Sequence, residues 1–333
     1  MSTAPTIDDK GAAATRPGFL LVYILVIFAA MLGASLYHLR HAGILSCPAT
    51  GYDDTHYLAY CHGDAYGDYD HGAVWFGLEP GVRETAAGAD VLFVGNSRLE
   101  FGFSSAAIEH WAAANDLAYY LLGFSYTENS AFLGPLLDGL KPSAEAYVIN
   151  LDQFFMDKAS PPGAEVMFGG GSLGRYEGKR DWQGPHRLLC GALPILCGEA
   201  VSYYRDRANG QWSHEGTWRT DKDVALLATG IDGELPVDVA SLDRAREIGA
   251  AFIDKLGVPR DCVVLTYVPT RENKRATADA LATSLGFELV SPRLDDLRTF
   301  DGSHLDPASA ERFAAAFLEV AGPRLAACAN GGA

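Results

Sequence analysis

The run Val91-Leu92-Phe93-Val94-Gly95-Asn96-Ser97-Arg98 decides how the chain is read. Four apolar, β-forming residues run into Gly-Asn-Ser, and Phe101, Phe103, Ile108 and Trp111 then supply apolar positions in a helix-like pattern. This predicts a buried strand, a tight turn and a helix. Ser97 then stands at the carboxyl end of a sheet, the edge where open α/β sheets collect their ligands. Free backbone N–H groups at a helix start can also hold an oxyanion. By themselves, Asn96 and Ser97 serve equally well as helix caps.

A second stretch, Phe300-Asp301-Gly302-Ser303-His304-Leu305-Asp306, lies near the other end of the chain. An Asp and a His three apart can provide a general base and the carboxylate that orients it from one loop. The competing reading is a surface loop in which Asp301 makes a turn and Asp306 caps a helix starting near Pro307.

Together the two stretches resemble the SGNH (GDSL-type) hydrolase superfamily, over about residues 90–326. The resemblance implies a three-layer α/β/α, flavodoxin-like domain with a parallel sheet. It implies Ser97 as nucleophile, His304 as general base and Asp301 as its orienter. Oxyanion donors are implied at the backbone N–H groups of Ser97 and Gly123, the glycine after the second strand. The superfamily's third block, Gly-x-Asn-Asp, is altered here to Asn150-Leu151-Asp152-Gln153. An ionised Asp152 cannot donate to an oxyanion, which leaves Gln153 or Asn150 as substitutes and Asp152 to orient another group or meet substrate. Arg98 is expected to meet an anionic substrate, or to make a structural ion pair.

The altered block resembles the divergent SGNH-like proteins of bacterial exopolysaccharide acetylation systems. That likeness implies a membrane-anchored O-acyltransferase or acetylesterase acting on an exopolysaccharide or cell-wall glycan. A membrane-bound acyltransferase or a polysaccharide export complex is the implied partner, and no cofactor or metal is implied. Two other classes stay open: a lipase or thioesterase, and a non-catalytic glycan-binding or scaffold subunit.

Composition bounds these readings. The chain has 333 residues, 48% of them hydrophobic, enough for a substantial core. Its formal net charge of -16 disfavours nucleic acid, whose phosphates draw on clustered Lys and Arg. From Phe19 to Tyr37 the chain is apolar and uncharged, close to the ~20 residues that cross a bilayer as a helix. A cleaved signal peptide is the competing reading, although its apolar region is usually about 7–15 residues. Lys10 and Arg16 before the segment and Arg40 after it leave charge nearly silent on orientation. Six cysteines behind an anchor suit an oxidising compartment. Local spacing favours Cys47–Cys61 and Cys190–Cys197, leaving Cys262–Cys328, but it does not fix connectivity. Buried free thiols, at Cys262 for example, are the alternative. The expectation is a single-pass protein with its large domain outside the cytoplasm, and the resemblance implies that the membrane is a bacterial inner membrane and that space the periplasm.

The expected layout is a tail at 1–16, a membrane helix at 17–39, a stalk at 40–89 and a domain at 90–328. Within Gly51–Gly72, acidic and histidine side chains among tyrosines raise a metal site, but no metal-binding spacing is present and a solvated, disulfide-pinned segment is preferred. Strands are expected at Leu117–Leu122, Ala146–Leu151, Cys262–Tyr267 and Phe287–Val290, alternating with helices, which implies a parallel sheet between helical layers. An aromatic-rich insertion at about 156–235 carries Trp182, Trp212 and Trp218 with Tyr176, Tyr203 and Tyr204. These rings either stack on sugars or pack a small core.

Overall fold

The computed structural model describes residues 17–48, 51, 53–62, 66–215, 224–225, 235–237 and 239–331. The tail at 1–16, Asp64 and Trp218 lie outside them. The elements run α1 (Pro17–His41), β1 (His56–Cys61), β2 (Gly67–Asp68), α2 (Asp70–Phe76), α3 (Val82–Ala87), β3 (Val91–Asn96), α4 (Ser97–Phe103) and α5 (Ala106–Asn115). They continue β4 (Tyr119–Phe124), α6 (Ser130–Leu140), β5 (Ala146–Asn150), α7 (Pro161–Phe168), α8 (Ser172–Ala192), β6 (Ser202–Asp206), β7 (Trp212–Glu215) and β8 (Val224–Ala225). The chain closes with α9 (Val239–Lys255), β9 (Val263–Thr266), α10 (Arg275–Ser284), β10 (Arg298–Thr299) and α11 (Pro307–Ala329).

Every residue of β3, β4, β5 and β9 is buried, as continuous apolar runs in a covered parallel sheet should be. The four strands are parallel in the order β4-β3-β5-β9. Alternation along each strand divides the apolar side chains between two cores. Val91, Phe93, Val148 and Val264 pack with Leu99, Phe103, Phe313 and Phe317 of α4 and α11 on one face. Leu92, Val94, Ile149 and Leu265 pack with Phe132, Leu136, Phe252 and Leu281 of α6, α9 and α10 on the other. The sheet is therefore an α/β core with helices on both faces. From β3 the chain turns one way to β4 and then the other way to β5, so a crevice opens at the carboxyl ends of β3 and β5.

Three expectations change. Phe287–Val290 makes only a single parallel bridge, Leu289 to Leu265, rather than a full strand. The second strand is shifted to Tyr119–Phe124, which puts Gly123 inside it instead of after it. The segment 40–89 is no stalk. Its strands β1 and β2 pair with β6 and β7 of the insertion in an antiparallel sheet ordered β2-β1-β6-β7. Ala73, Val74, Val82 and Ala86 of α2 and α3 join the larger core. Local pattern could not reveal this, because the strand that completes β1 lies some 140 residues further along the chain.

The acidic and histidine residues of that segment are correspondingly not all solvated: Asp68, Asp70 and His71 are buried. All three favoured disulfides are present, Cys47–Cys61, Cys190–Cys197 and Cys262–Cys328. Helix α1 is long and apolar enough to cross a membrane.

Candidate active site

The turn after β3 is set by Asn96. Its side-chain oxygen accepts from the Arg98 N–H at 3.0 Å and so caps α4. Its amide nitrogen donates to the Asp152 carbonyl (3.0 Å) and carboxylate (3.1 Å), tying the end of β3 to the end of β5. Ser97 is thereby fixed as the first residue of α4, where a backbone N–H has no acceptor within its own helix.

The loop carrying His304 is equally constrained. Asp306 N–H donates to the Arg298 carbonyl at 2.9 Å, and Phe300 N–H to the His304 carbonyl at 3.1 Å. Gly302 at φ +84° supplies the left-handed turn between them. Asp301 Oδ1 accepts the N–H groups of Ser303 and His304, each at 2.8 Å. Asp301 Oδ2 lies 2.7 Å from His304 Nδ1, and His304 Nε2 lies 2.8 Å from Ser97 Oγ. Two loops 207 residues apart thus form one unbroken hydrogen-bonded chain. Burial pushes the Asp301 carboxyl up, but the bonds from His304 and the two amides outweigh it and hold it below the usual carboxylate range.

Comparison of this chain with protein-family models, curated proteins and solved structures returned no match.

Two of the other expected oxyanion donors, Gly123 and Asn150, are engaged within the fold. The Gly123 N–H is already committed, donating to Glu100 Oε1 at 2.6 Å. A Cβ on Gly123 would meet Glu100 Cγ at 2.6 Å and the Asn96 carbonyl at 2.7 Å, so the glycine admits a glutamate side chain, not a ligand. Asn150 is fully buried, and its side-chain Oδ1 accepts from Val268 N–H at 3.1 Å. Its Nδ2 is enclosed without a partner among the described residues. Gln153 adopts φ +51° and is exposed, lining a cavity of about 450 Å³ between α9 and α10.

Arg98 and Asp152 form a strut instead of free substrate contacts. Arg98 Nη1 pairs with Asp152 Oδ2, and Arg98 Nε donates to Ser303 Oγ at 3.0 Å. The residue after Ser97 therefore clamps the end of β5 to the histidine loop, which favours the structural alternative for this arginine.

Two contributors escaped sequence reasoning. Glu100, in the first turn of α4, is fully buried and pairs with Arg205 Nη1 at 3.1 Å. Arg205, also fully buried, holds Asp70 at 2.7 Å and donates to the carbonyls of Leu121 and Gly123. It thus locks the second sheet onto β4 beside the Ser97 turn. Burial pushes the Glu100 carboxyl up to about 8 against the pull of Arg205 and the Gly123 amide. A charged residue on an otherwise apolar helix face was the available signal, but its partner is 105 residues away.

The aromatic residues of the insertion mostly pack a core. Tyr203 stacks on Trp212 at 5.2 Å, and Phe101 meets both edge-on. Phe101 and Phe300 in turn flank the His304 ring, at 4.9 and 5.6 Å between centroids. Tyr176 and Tyr204 are buried, and Trp182 packs against Cys190 and Cys197. The group His186, Cys190 and Cys197 has metal-ligand proximity, but its two sulfurs are consumed by their disulfide.

Proposed function

We propose that this chain is a membrane-anchored serine ester hydrolase or O-acyltransferase of SGNH type, working through Ser97, His304 and Asp301. The observation that carries the reading is the Ser97–His304–Asp301 chain, with bonds of 2.8 and 2.7 Å. The parallel strand order supports it: counted along the main sheet it runs 2-1-3-4, and Leu289 beside β9 extends it to the flavodoxin-like 2-1-3-4-5.

In the proposed reaction His304 Nε2 takes the Ser97 hydroxyl proton as Oγ attacks an ester carbonyl. Asp301 holds the imidazole in the tautomer whose Nε2 can accept. The tetrahedral oxyanion is held by the Ser97 N–H at the open end of α4. Collapse expels the alcohol, which leaves with the proton from His304, and an acyl-Ser97 ester remains. His304 then deprotonates the acceptor hydroxyl, of water or of a sugar, and the acyl group passes to it.

The substrate class proposed is an O-acetylated or acetyl-accepting exopolysaccharide or cell-wall glycan. Its support is the anchor helix, the three disulfides of an oxidising compartment, and the altered third block. On this reading the domain faces the periplasm, with a membrane-bound acyltransferase or export complex as partner. A longer-chain ester is the second reading, favoured by the 450 Å³ cavity beyond Asp152, which Leu151, Phe154, Ile248 and Leu281 line.

Labelling with a fluorophosphonate probe tests the nucleophile. Ser97 should be modified, Ser97→Ala should not, and its turnover of nitrophenyl acetate should fall by about 10⁴- to 10⁶-fold. An unlabelled wild-type protein would leave a non-catalytic subunit as the surviving class. A chain-length series of nitrophenyl esters separates the two substrate readings.

A further inference from the structure

The end of α1 is built into the domain. Leu39 and Leu45 pack with Leu189, Leu196 and the Cys190–Cys197 disulfide in a small core of their own. The Arg40 guanidinium donates to the Ile195 carbonyl. Gly198 N–H donates to the Leu45 carbonyl at 2.7 Å, and Ala200 N–H to the Ser46 carbonyl at 3.0 Å. A Cβ on Gly198 would stand 2.4 Å from the Arg40 carbonyl, so only glycine lets the chain pass this close to the helix end. Helix and domain are joined here without a free linker.

Around this junction large aliphatic side chains are exposed. Leu188 is 75% exposed, Leu193 50% and Ile195 77%, and Ile44 adds to them from the turn after α1. Several large aliphatic side chains exposed near one junction mark an interaction surface. The occupant follows from position. The 25 residues of α1 extend about 37 Å, against a hydrocarbon core of about 30 Å, so its last turn emerges at the lipid headgroups. Residues bonded to Leu39 and Arg40 lie at that same depth. With a net charge of -16 the protein is not drawn to an anionic bilayer by electrostatics, so apolar side chains must make such a contact.

We propose that Ile44, Leu188, Leu193 and Ile195 form a collar that enters the interfacial layer of the bilayer crossed by α1, giving the domain a second membrane contact. The proposal rests on reading α1 as a retained span. The Cys190–Cys197 disulfide closes the turn bearing Leu193 and Ile195 and keeps both side chains displayed. A domain held at two points cannot swing about its anchor, so the Ser97 cleft meets the membrane surface at a set attitude.

Photo-crosslinking of the full chain in phosphatidylethanolamine–phosphatidylglycerol nanodiscs tests this. The photoreactive p-benzoylphenylalanine replaces Leu188, Ile195, Phe28 of α1, or Val320 on α11, which packs on the opposite face of the main sheet from α2 and α8. Intact-mass analysis reads the adducts. Lipid adducts at Leu188 and Ile195, in yield comparable with Phe28 and well above Val320, are expected. Adducts at Phe28 without any at Leu188 or Ile195 would put the collar in water and overturn the proposal. Crosslinks between two copies of the chain, or equal lipid yield at Val320, would overturn it as well. Absence of adducts at Phe28 too would reject the membrane-span reading itself, and the collar with it.

Discussion

Asp301 accepts three hydrogen bonds, one from the His304 ring and two from backbone N–H groups of its own loop. The two oxygens divide the work: Oδ1 shapes the loop and Oδ2 orients the imidazole. Asp301→Asn can keep the first task, because an amide oxygen still accepts two N–H groups. It cannot keep the second, because an amide NH₂ facing Nδ1 forces the proton onto Nε2 and removes the acceptor that Ser97 needs. Turnover of a nitrophenyl ester should therefore fall by about 10⁴-fold while the melting temperature stays near that of the wild type. A variant retaining a tenth of wild-type turnover would remove Asp301 from the proposed mechanism. Ser97, Asp301 and His304 were legible in the sequence, because such chemistry needs these residue types and the resemblance pointed to the two stretches that carry them. The oxyanion contacts were not. Gly123 and Asn150 have suitable chemistry, but strand register placed one beneath Glu100 and the other among buried side chains.

Between elements, His71 is the counterpart of Arg205. It lies on α2 and reaches Asp68 of β2 at 2.8 Å and Glu128, ahead of α6, at 3.0 Å. Glu128 in turn accepts from Ser160, the cap of α7. Burial alone would lower the pKa of His71, but the two carboxylates outweigh it and raise it to about 10, so the ring is a cation in the folded protein. Glu128 is held below the usual range for the complementary reason, its bonds to His71 and Ser160 exceeding the effect of burial. The folded pKa of His71 exceeds the unfolded value of 6.5. Its contribution is therefore fully present below pH 6.5 and is lost as pH rises through about 10. Urea unfolding should show stability declining over that window, by an amount on the order of a few kcal/mol, and His71→Gln should flatten the decline. An unchanged slope in the variant would assign the pH dependence elsewhere. Elements with long apolar runs or clear amphipathic stripes, β3, β5, α6 and α11 among them, were legible locally. The sheet of β1, β2, β6 and β7 was not, because its strands are short and carry tyrosines and polar residues whose partners are distant in sequence.

Across the whole molecule the segment that carries the Asp301–His304 loop is closed by a disulfide. Cys262, just before β9, joins Cys328 near the end of α11, 66 residues later. Closing a loop of that length restricts the unfolded chain by about 4 kcal/mol in the entropic description. Cys262→Ser combined with Cys328→Ser should lower the unfolding free energy by about that amount, measured by urea titration of the oxidised protein. A loss below 1 kcal/mol would show that native packing of α11 already does the work. The same oxidising chemistry accords with the orientation proposed for the anchor. Protease added to spheroplasts should digest the domain if it lies outside the cytoplasm, and complete resistance would reverse the topology.

Properties carried by types and order of residues were readable before folding. An apolar span, six cysteines of workable spacing, a serine after a buried strand and a histidine in an Asp-x-x-His loop each declare their chemistry locally, since period, charge and reactivity belong to short stretches of chain. Tertiary structure decided which polar groups remain free to act. A buried N–H, carboxylate or guanidinium is costly without a partner, and the fold can supply that partner from any distance along the chain. Thus Glu100 took the Gly123 amide, Arg205 took Glu100 and Asp70, and Arg98 was drawn between Asp152 and Ser303. The Ser97 hydroxyl and the His304 ring were left facing each other.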